Sequence, residues 1–189
     1  MRGWGQSLFV VLLVTGCAPP PIDQPNPLFR PDSGVTNSGA DAGSDPRVQV
    51  RTVLDGDTII LTATADAKAP DGRNLSGATV RLLGVDAPEI ARPPQQPNSD
   101  CWGDESRDKA RNLMQGLTVT LEFGSNDYRD VYGRLLAYVV LPDGEVANEV
   151  LIETGAARSY ERFQHRYRSR YEQLERAARD RNLGVWTCP

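Results

Sequence analysis

The chain has 189 residues, of which 24% are charged, and a formal net charge of −4 at pH 7. Residues 1–47 carry three basic and four acidic residues, so the part from Val48 onward holds 18 basic and 21 acidic ones. This acidic balance argues against a uniformly basic surface of the kind that binds polyanions tightly without specificity.

The N-terminus has the features of an export signal. Arg2 is followed by an apolar run, Leu8–Val14, which is far shorter than the roughly 20 residues that span a bilayer. The run ends in VTGC, and small residues directly before a cysteine resemble the lipobox of bacterial lipoproteins. The resemblance implies a signal peptide at 1–16 and lipidation of Cys17, which places an exported protein in the cell envelope, anchored on the periplasmic or cell-surface side. A plain secretory signal with an incidental cysteine is the alternative.

Residues 17–47 predict a disordered tether. They are rich in Pro, Gly, Ser and Asp, and their apolar side chains are too sparse to offset the entropy of ordering the chain. The remainder, 48–189, is long enough for one domain with its own hydrophobic core.

The first half of this domain predicts a sheet followed by a helix. VQVRTVLDGDTIILTAT alternates polar and β-branched residues around Asp55-Gly56, which is typical of a hairpin. Residues 65–77 predict a polar loop, and ATVRLLGVDAPEI resumes the sheet. A Pro-rich loop then leads to a helix over 101–116 that stops at Gly116.

The second half predicts two strands and two helices. LTVTLEFG and GRLLAYVVL are the strands, VANEVLIETG is a short helix, and 167–182 predict a helix with one apolar stripe. Five strands with three helices indicate an α+β fold, mainly β, in which a small five-stranded barrel carries the helices. The pattern is compatible with an OB-fold barrel.

Cys101 and Cys188 are the two cysteines of this domain. An even pair in an oxidising compartment favours a disulfide. Two unrelated free thiols are the alternative. Zinc ligation is disfavoured, because the chain has a single histidine and no CxxC spacing.

Two carboxylates indicate a candidate cation site. Asp57 follows the hairpin turn and Asp86 stands where a strand ends. Hard carboxylate oxygens from neighbouring strands suit Ca²⁺ better than zinc. Either residue alone could simply be part of a turn.

Two arginines supply the second half of the candidate site. Arg81 and Arg134 both stand among apolar strand residues, where a charge gains little. Their side chains could snorkel to the solvent, but a guanidinium also matches phosphate oxygens bidentately.

Four ordered motifs, VLDGDTIIL, VRLLGVDAPE, DVYGRLLAYV and ANEVLIETGAA, together resemble the staphylococcal nuclease (thermonuclease) family. The resemblance covers about residues 50–186 and implies an OB-fold barrel with three α-helices. It also implies Ca²⁺-dependent hydrolysis of phosphodiester bonds in DNA and RNA, preferably single-stranded or denatured, by a monomer that leaves 3′-phosphate ends.

The resemblance assigns a role to each motif residue. The metal ligands are the carboxylates of Asp57 and Asp86 and the backbone carbonyl of Ala87. Glu89 orients or deprotonates the attacking water, and Arg81 and Arg134 bind the scissile phosphate. The residues that shape the nucleotide pocket are Tyr132 and Tyr160.

Arginines around His165 form a further basic segment, which either follows a phosphate backbone or is a solvated helix face. Its members are Arg158, Arg162, Arg166, Arg168 and Arg170. A catalytically inactive OB-fold module that binds nucleic acid or protein at the cell surface is the alternative to the enzyme. A purely structural lipoprotein domain would leave the placement of the arginines unexplained.

Overall fold

The structure is a computed structural model that describes residues 45–62, 67–124, 128–162 and 164–189. The predicted signal peptide, Cys17 and most of the predicted tether lie outside these residues. The first strand already includes Arg47, on the tether side of the predicted boundary at 47/48. Arg47 already pairs with Thr120, and the N–H of Leu121 donates to the carbonyl oxygen of Pro46 at 3.0 Å.

Five strands close into a barrel in the order β1-β2-β3-β6-β5. The strands are β1 Arg47–Asp55, β2 Thr58–Leu61, β3 Thr79–Leu82, β5 Thr118–Phe123 and β6 Leu135–Val140. All pairs are antiparallel except β3 with β6, which run parallel. The predicted α+β fold, a five-stranded OB-type barrel with three helices, is therefore confirmed.

The three helices are α1 Gly103–Met114, α2 Ala147–Glu153 and α3 Arg168–Asp180, and a short 3-10 helix, Gly184–Thr187, follows. Both long helices are shorter than predicted, α1 by two residues at each end. Buried residues on α3 are Tyr171, Leu174 and Ala178, as its apolar stripe predicts. No helix among the described ranges is long and apolar enough to cross a membrane.

Two very short strands lie outside the barrel. β4 Val85–Asp86 pairs antiparallel with β7 Arg158–Ser159, so the predicted continuous strand through VRLLGVDAPE is broken after Leu82. Gly84 makes this break possible. Its φ is +76°, and a Cβ there would meet the ring of His165. The break places Asp86 in the separate β4–β7 sheet, while its carboxylate still lies 3.4 Å from Nη2 of Arg81 on β3.

The core fills the barrel and the space under the helices. Strand β1 alternates exposed and buried residues, as expected for a strand with one face on the core. The largest fully buried side chains of the core are those of Tyr138 and Tyr171. The predicted polar loop 65–77 is partly packed, because Ala69 and Leu75 are buried.

The predicted disulfide is present between Cys101 and Cys188, which are 87 residues apart in the chain. It joins the segment before α1 to the C-terminal end of the domain. Closing a loop of this length stabilises a domain by roughly 4–5 kcal/mol in the chain-entropy model.

Candidate active site

Arg81 connects the two predicted metal-binding carboxylates. Its guanidinium forms an ion pair with Asp57, and its Nη2 lies 3.4 Å from Oδ1 of Asp86. The Arg81 side chain is 17% exposed and that of Asp57 only 5%, whereas Asp86 is 51% exposed. A buried arginine thus stands between one buried and one open carboxylate.

The register of the sheet explains why Arg81 and Asp57 lie together. Thr58 pairs with Arg81 across β2 and β3, which brings the β1–β2 turn to the start of the break after Leu82. The turn consists of Gly56 and Asp57, so Asp57 lies within the turn rather than just past it, as the sequence had suggested. The N–H of Leu82 donates to the carbonyl oxygen of Asp57 at 2.8 Å and fixes the turn there.

Asp57 is fixed by its own hydrogen bonds. Oδ1 accepts from the hydroxyl of Thr58 at 3.0 Å, and Oδ2 accepts from the backbone N–H of Ala87 at 2.8 Å. A Cβ on Gly56 would collide with Ser106 of α1 and with Ala87. Glycine therefore lets the turn lie directly against the segment that carries the predicted third ligand.

The charges around Arg81 act on its pKa. Burial lowers the pKa of Arg81 below its usual range, the charge of Asp86 opposes this, and the charge of Arg134 adds to it. Asp55 and Glu89 also raise this pKa, so both carboxylates lie within electrostatic range of the guanidinium. An arginine still keeps its charge at neutral pH.

The donor set fits a hard cation. Asp57, Asp86 and the carbonyl of Ala87 are oxygen donors of the kind that Ca²⁺ prefers, and the two carboxylates already converge on a positive group. Within the described ranges no three His, Cys, Asp or Glu side chains form a metal cluster. The predicted site needs only two side chains and one backbone carbonyl, with water completing the shell.

Glu89 lies at the start of the Pro-rich loop, and Asp100 closes this loop at its other end. The N–H of Glu89 donates to Oδ2 of Asp100 at 3.1 Å, and its carbonyl accepts from the N–H of Asp100 at 2.8 Å. The carboxylate of Glu89 is 53% exposed and lies 3.7 Å from Nη1 of Arg92. Arg92 also binds Asp55 at 2.5 Å, so it ties the loop to the hairpin.

Arg134 reaches the site because β3 and β6 are parallel neighbours. Arg81 pairs with Leu136, so Arg134, two residues earlier and directly before β6, lies diagonally from Arg81 on the same face of the sheet. Asp130 holds it: Nε donates to Oδ2 at 2.6 Å, and the N–H groups of Arg134 and Tyr132 each donate to Oδ1 at 2.9 Å. Tyr132 is 82% exposed, and the guanidinium of Arg134 lies 5.5 Å from its ring centroid.

A cavity of about 1010 Å³ joins the arginines to the predicted pocket residues. Arg81, Arg134, Tyr132 and Tyr160 all line it. Asp57, Asp86, Ala87 and Glu89 do not, and their connection to the cavity runs through Arg81. The site therefore has two parts, an arginine-lined pocket and a carboxylate edge.

Sequence reasoning missed several cavity residues. Asp130 is the first residue of the DVYGR motif, which also contains Tyr132 and Arg134. An acidic residue so close to these two predicted pocket residues could have been recognised from the sequence. Arg129, which pairs with Asp71 at 2.7 Å, and Tyr138 gave no such signal. Burial raises the pKa of Tyr138 to about 12, so its phenol stays protonated at neutral pH. The oxygen of this phenol lies 3.2 Å from Nδ1 of His165.

The basic segment around His165 is largely neutralised by carboxylates. Arg166 pairs with Glu122, Arg168 with Glu172 and Arg170 with Glu149. These three arginines thus have carboxylate partners within the fold.

Comparison with known proteins agrees with this architecture. The model of the staphylococcal nuclease homologue family matches residues 79–188. The chain belongs to the staphylococcal nuclease family. Among its relatives, a thermonuclease of Staphylococcus hyicus is 33% identical over 163 residues, covering 84% of this chain and 87% of the relative. A thermonuclease of Staphylococcus intermedius is 36% identical over 140 residues, covering 72% and 74%.

The family likeness extends beyond staphylococci. A protein of Escherichia coli O157:H7 described as an uncharacterized endonuclease is 33% identical over 144 residues, covering 76% of this chain and 79% of the relative. The matched family region contains Arg81, Asp86, Glu89 and Arg134, whereas Asp57 lies before it. In the structure, Asp57 and Asp86 contact Arg81, and Glu89 and Arg134 lie within electrostatic range of it.

Proposed function

We propose that this protein is a calcium-dependent nuclease that hydrolyses phosphodiester bonds of DNA and RNA without strong sequence specificity and leaves 3′-phosphate ends. The enzyme class follows from the family: this member of the staphylococcal nuclease family is a nuclease, a hydrolase. The observation that carries the finer proposal is Arg81, which lines the arginine pocket and also binds both carboxylates.

The arginines act on the phosphate. Arg81 and Arg134 project into one pocket from neighbouring strands, where both can bind the non-bridging oxygens of a scissile phosphate. Negative charge grows on these oxygens in the transition state, so fixed guanidinium groups stabilise it more than the ground state. Asp130 keeps Arg134 in place for this role.

The carboxylates act on the water. Glu89, held by Asp100 at its backbone, orients the attacking water and accepts its proton, a contribution worth roughly 10²–10⁴-fold in rate. Asp57, Asp86 and the Ala87 carbonyl would hold Ca²⁺, which supplies positive charge beside the phosphate. Arg81 then exchanges its carboxylate partners for phosphate oxygens.

Single-stranded or denatured nucleic acid suits the pocket best. The exposed ring of Tyr132 offers a face on which any base can stack, which gives affinity without base-specific readout. Tyr160 lines the same cavity. Both contacts need an unpaired base.

The cellular setting is likewise proposed from the sequence. The apolar run and VTGC indicate export and anchoring of the chain to an envelope membrane through lipid on Cys17. The site is complete within one chain, which is consistent with a monomer.

The test is an incubation of the purified protein with denatured DNA and with RNA at low salt, with calcium or with a chelator. We expect degradation of both polymers with calcium and 3′-phosphate on the products, and at least 100-fold slower cleavage by Arg134→Ala. Arg176→Ala, a change on the exposed face of α3, is the matched control and should cleave normally. Binding of DNA without any calcium-dependent cleavage would instead support the inactive binding module.

A further inference from the structure

A second groove adjoins the carboxylate edge at Asp86. It has a volume of about 350 Å³, and its lining includes Asp86, Arg158, Ser159 and Arg162. Tyr160 lines both this groove and the large cavity, so it stands at their boundary. A chain that enters the arginine pocket can therefore continue past Asp86 into this groove.

The register of β4 and β7 places the side chain of Arg158 next to Asp86. Asp86 is the direct cross-strand partner of Arg158, so the two side chains share one face of the two-stranded sheet. No ion pair joins them, and Arg158 instead stacks on Trp186 with its guanidinium 5.2 Å from the ring centroid. Stacking fixes the guanidinium while leaving its N–H groups available for an anion.

Arg158 and Arg162 differ from their neighbours in the basic segment. Within the described residues neither has a carboxylate oxygen within 4.0 Å, whereas Arg166, Arg168 and Arg170 are all paired. The cations that remain available are thus the two that line the groove. A paired carboxylate takes up some of the N–H donors of an arginine and repels a nearby phosphate, and neither Arg158 nor Arg162 has such a partner within the described residues.

Ser159 also lines the groove, but its hydroxyl oxygen is buried. The residue is 8% exposed, and this oxygen has no hydrogen-bond partner among the described residues, so the side chains that can reach an anion are the two arginines. Glu161 and Glu175 also line the groove and oppose an anion. Glu175 already accepts the N–H of Ser159 at 3.2 Å, and burial raises its pKa, which shows that the environment disfavours its charged form.

We propose that this groove is a second phosphate subsite, in which Arg158 and Arg162 bind the backbone phosphate next to the scissile one on a single-stranded polynucleotide. The inference rests on the proposed nuclease function, because it takes the arginine pocket as the place of the scissile phosphate. It makes the enzyme prefer polymers to dinucleotides through contacts that carry no sequence information.

The test measures binding apart from cleavage. Fluorescence anisotropy with a labelled thymidine octamer, competed by unlabelled octamer or by a thymidine dinucleotide, is recorded in chelator over a series of salt concentrations. The proteins are the wild type, Arg158→Gln, Arg162→Gln, Arg158→Lys and the control Arg176→Gln, which removes the same charge from an exposed site outside the groove.

We expect each groove variant to weaken octamer binding about 3- to 10-fold and to leave dinucleotide binding unchanged. The slope of log affinity against log salt should fall by about 0.7 for each lost phosphate contact. Arg158→Lys should restore most of the binding, and Arg176→Gln should behave as the wild type. Arg162→Gln provides the same readout if Arg158→Gln does not fold, because Arg162 is exposed.

Unchanged octamer affinity in both groove variants, an equal loss in Arg176→Gln, or no octamer binding by the wild type would overturn the subsite. Cleavage of the octamer with calcium is followed in parallel. Binding with the expected variant pattern but without cleavage would refute the proposed nuclease function and leave the groove as a binding site. Normal cleavage without the variant pattern would refute the subsite alone.

Discussion

Arg81 is the residue on which the two parts of the site depend. It is largely buried, it lines the cavity, and it touches both carboxylates. Its position follows from the β2–β3 register and from the break after Leu82. A lysine there would keep the charge but would lack the planar fork with which Arg81 contacts both carboxylates.

Asp130 positions Arg134, and its replacement tests this role. Asp130→Asn keeps an oxygen for the two backbone N–H groups but removes the charge that holds the Arg134 guanidinium at 2.6 Å. We expect kcat to fall about 10-fold, with the thermal unfolding temperature nearly unchanged. Initial rates and a melting curve measure both, and a rate within twofold of the wild type would show that Asp130 does not position this arginine.

At the scale of elements, the Pro-rich loop carries Glu89 and is closed at its base. Asp100 binds both the N–H and the carbonyl of Glu89. Asp100→Ala removes the hydrogen bond from the N–H of Glu89 to the Asp100 carboxylate and keeps the backbone one. Glu89 is then less well positioned, so we expect kcat to fall about 10-fold with little change in KM. Steady-state kinetics test this, with Asp108→Ala on the exposed face of α1 as the control. An increase in KM alone would assign the loop to substrate binding instead.

The disulfide ties the segment before α1 to the C-terminal end. Cys101→Ser combined with Cys188→Ser should lower the free energy of unfolding by up to roughly 4–5 kcal/mol, because the 87-residue separation is no longer closed in the unfolded chain. Denaturant titration measures the loss, and reduction of the wild-type protein should reproduce it. Equal stability with and without the disulfide would contradict the entropic account.

Elements with long, regular patterns could be predicted from the sequence. The β1–β2 hairpin and the stripe on α3 both lie where their periodicity placed them. The two-residue strands β4 and β7 could not be predicted, since two residues have no periodicity. The pairing of Arg166 with Glu122 was equally hidden, because the two residues are 44 positions apart in the chain. The hydrogen bonds between Asp100 and Glu89 were hidden as well, because they depend on how the Pro-rich loop folds back on itself.

At the scale of the whole molecule, His165 makes stability depend on pH. Burial lowers its pKa, the charge of Arg168 adds to this effect, and Glu172 opposes it. The unfolded chain therefore binds a proton below about pH 6.5 that the folded protein binds only at lower pH. The corresponding stability is present above about pH 6.5 and is lost as the pH falls towards the folded-state pKa.

His165 is the single histidine of the chain, so His165→Gln isolates this effect. We expect the wild type to lose more stability than the variant between pH 7.5 and 5.5 in urea titrations. The carboxylates contribute equally to both proteins and cancel in the comparison. An identical pH dependence would mean that the folded state does not perturb His165.

The central claim is that Asp57, Asp86, Arg81 and Arg134 form one calcium-dependent site at the end of the barrel. The most direct measurement is the initial rate of cleavage of denatured DNA as a function of calcium concentration, for the wild type and Asp86→Asn. Asp86 is half exposed, so the substitution leaves the fold intact. We predict a saturable dependence in the wild type and a requirement for at least about 10-fold more calcium in the variant. Full wild-type activity in excess chelator, or identical curves for the two proteins, would contradict the account.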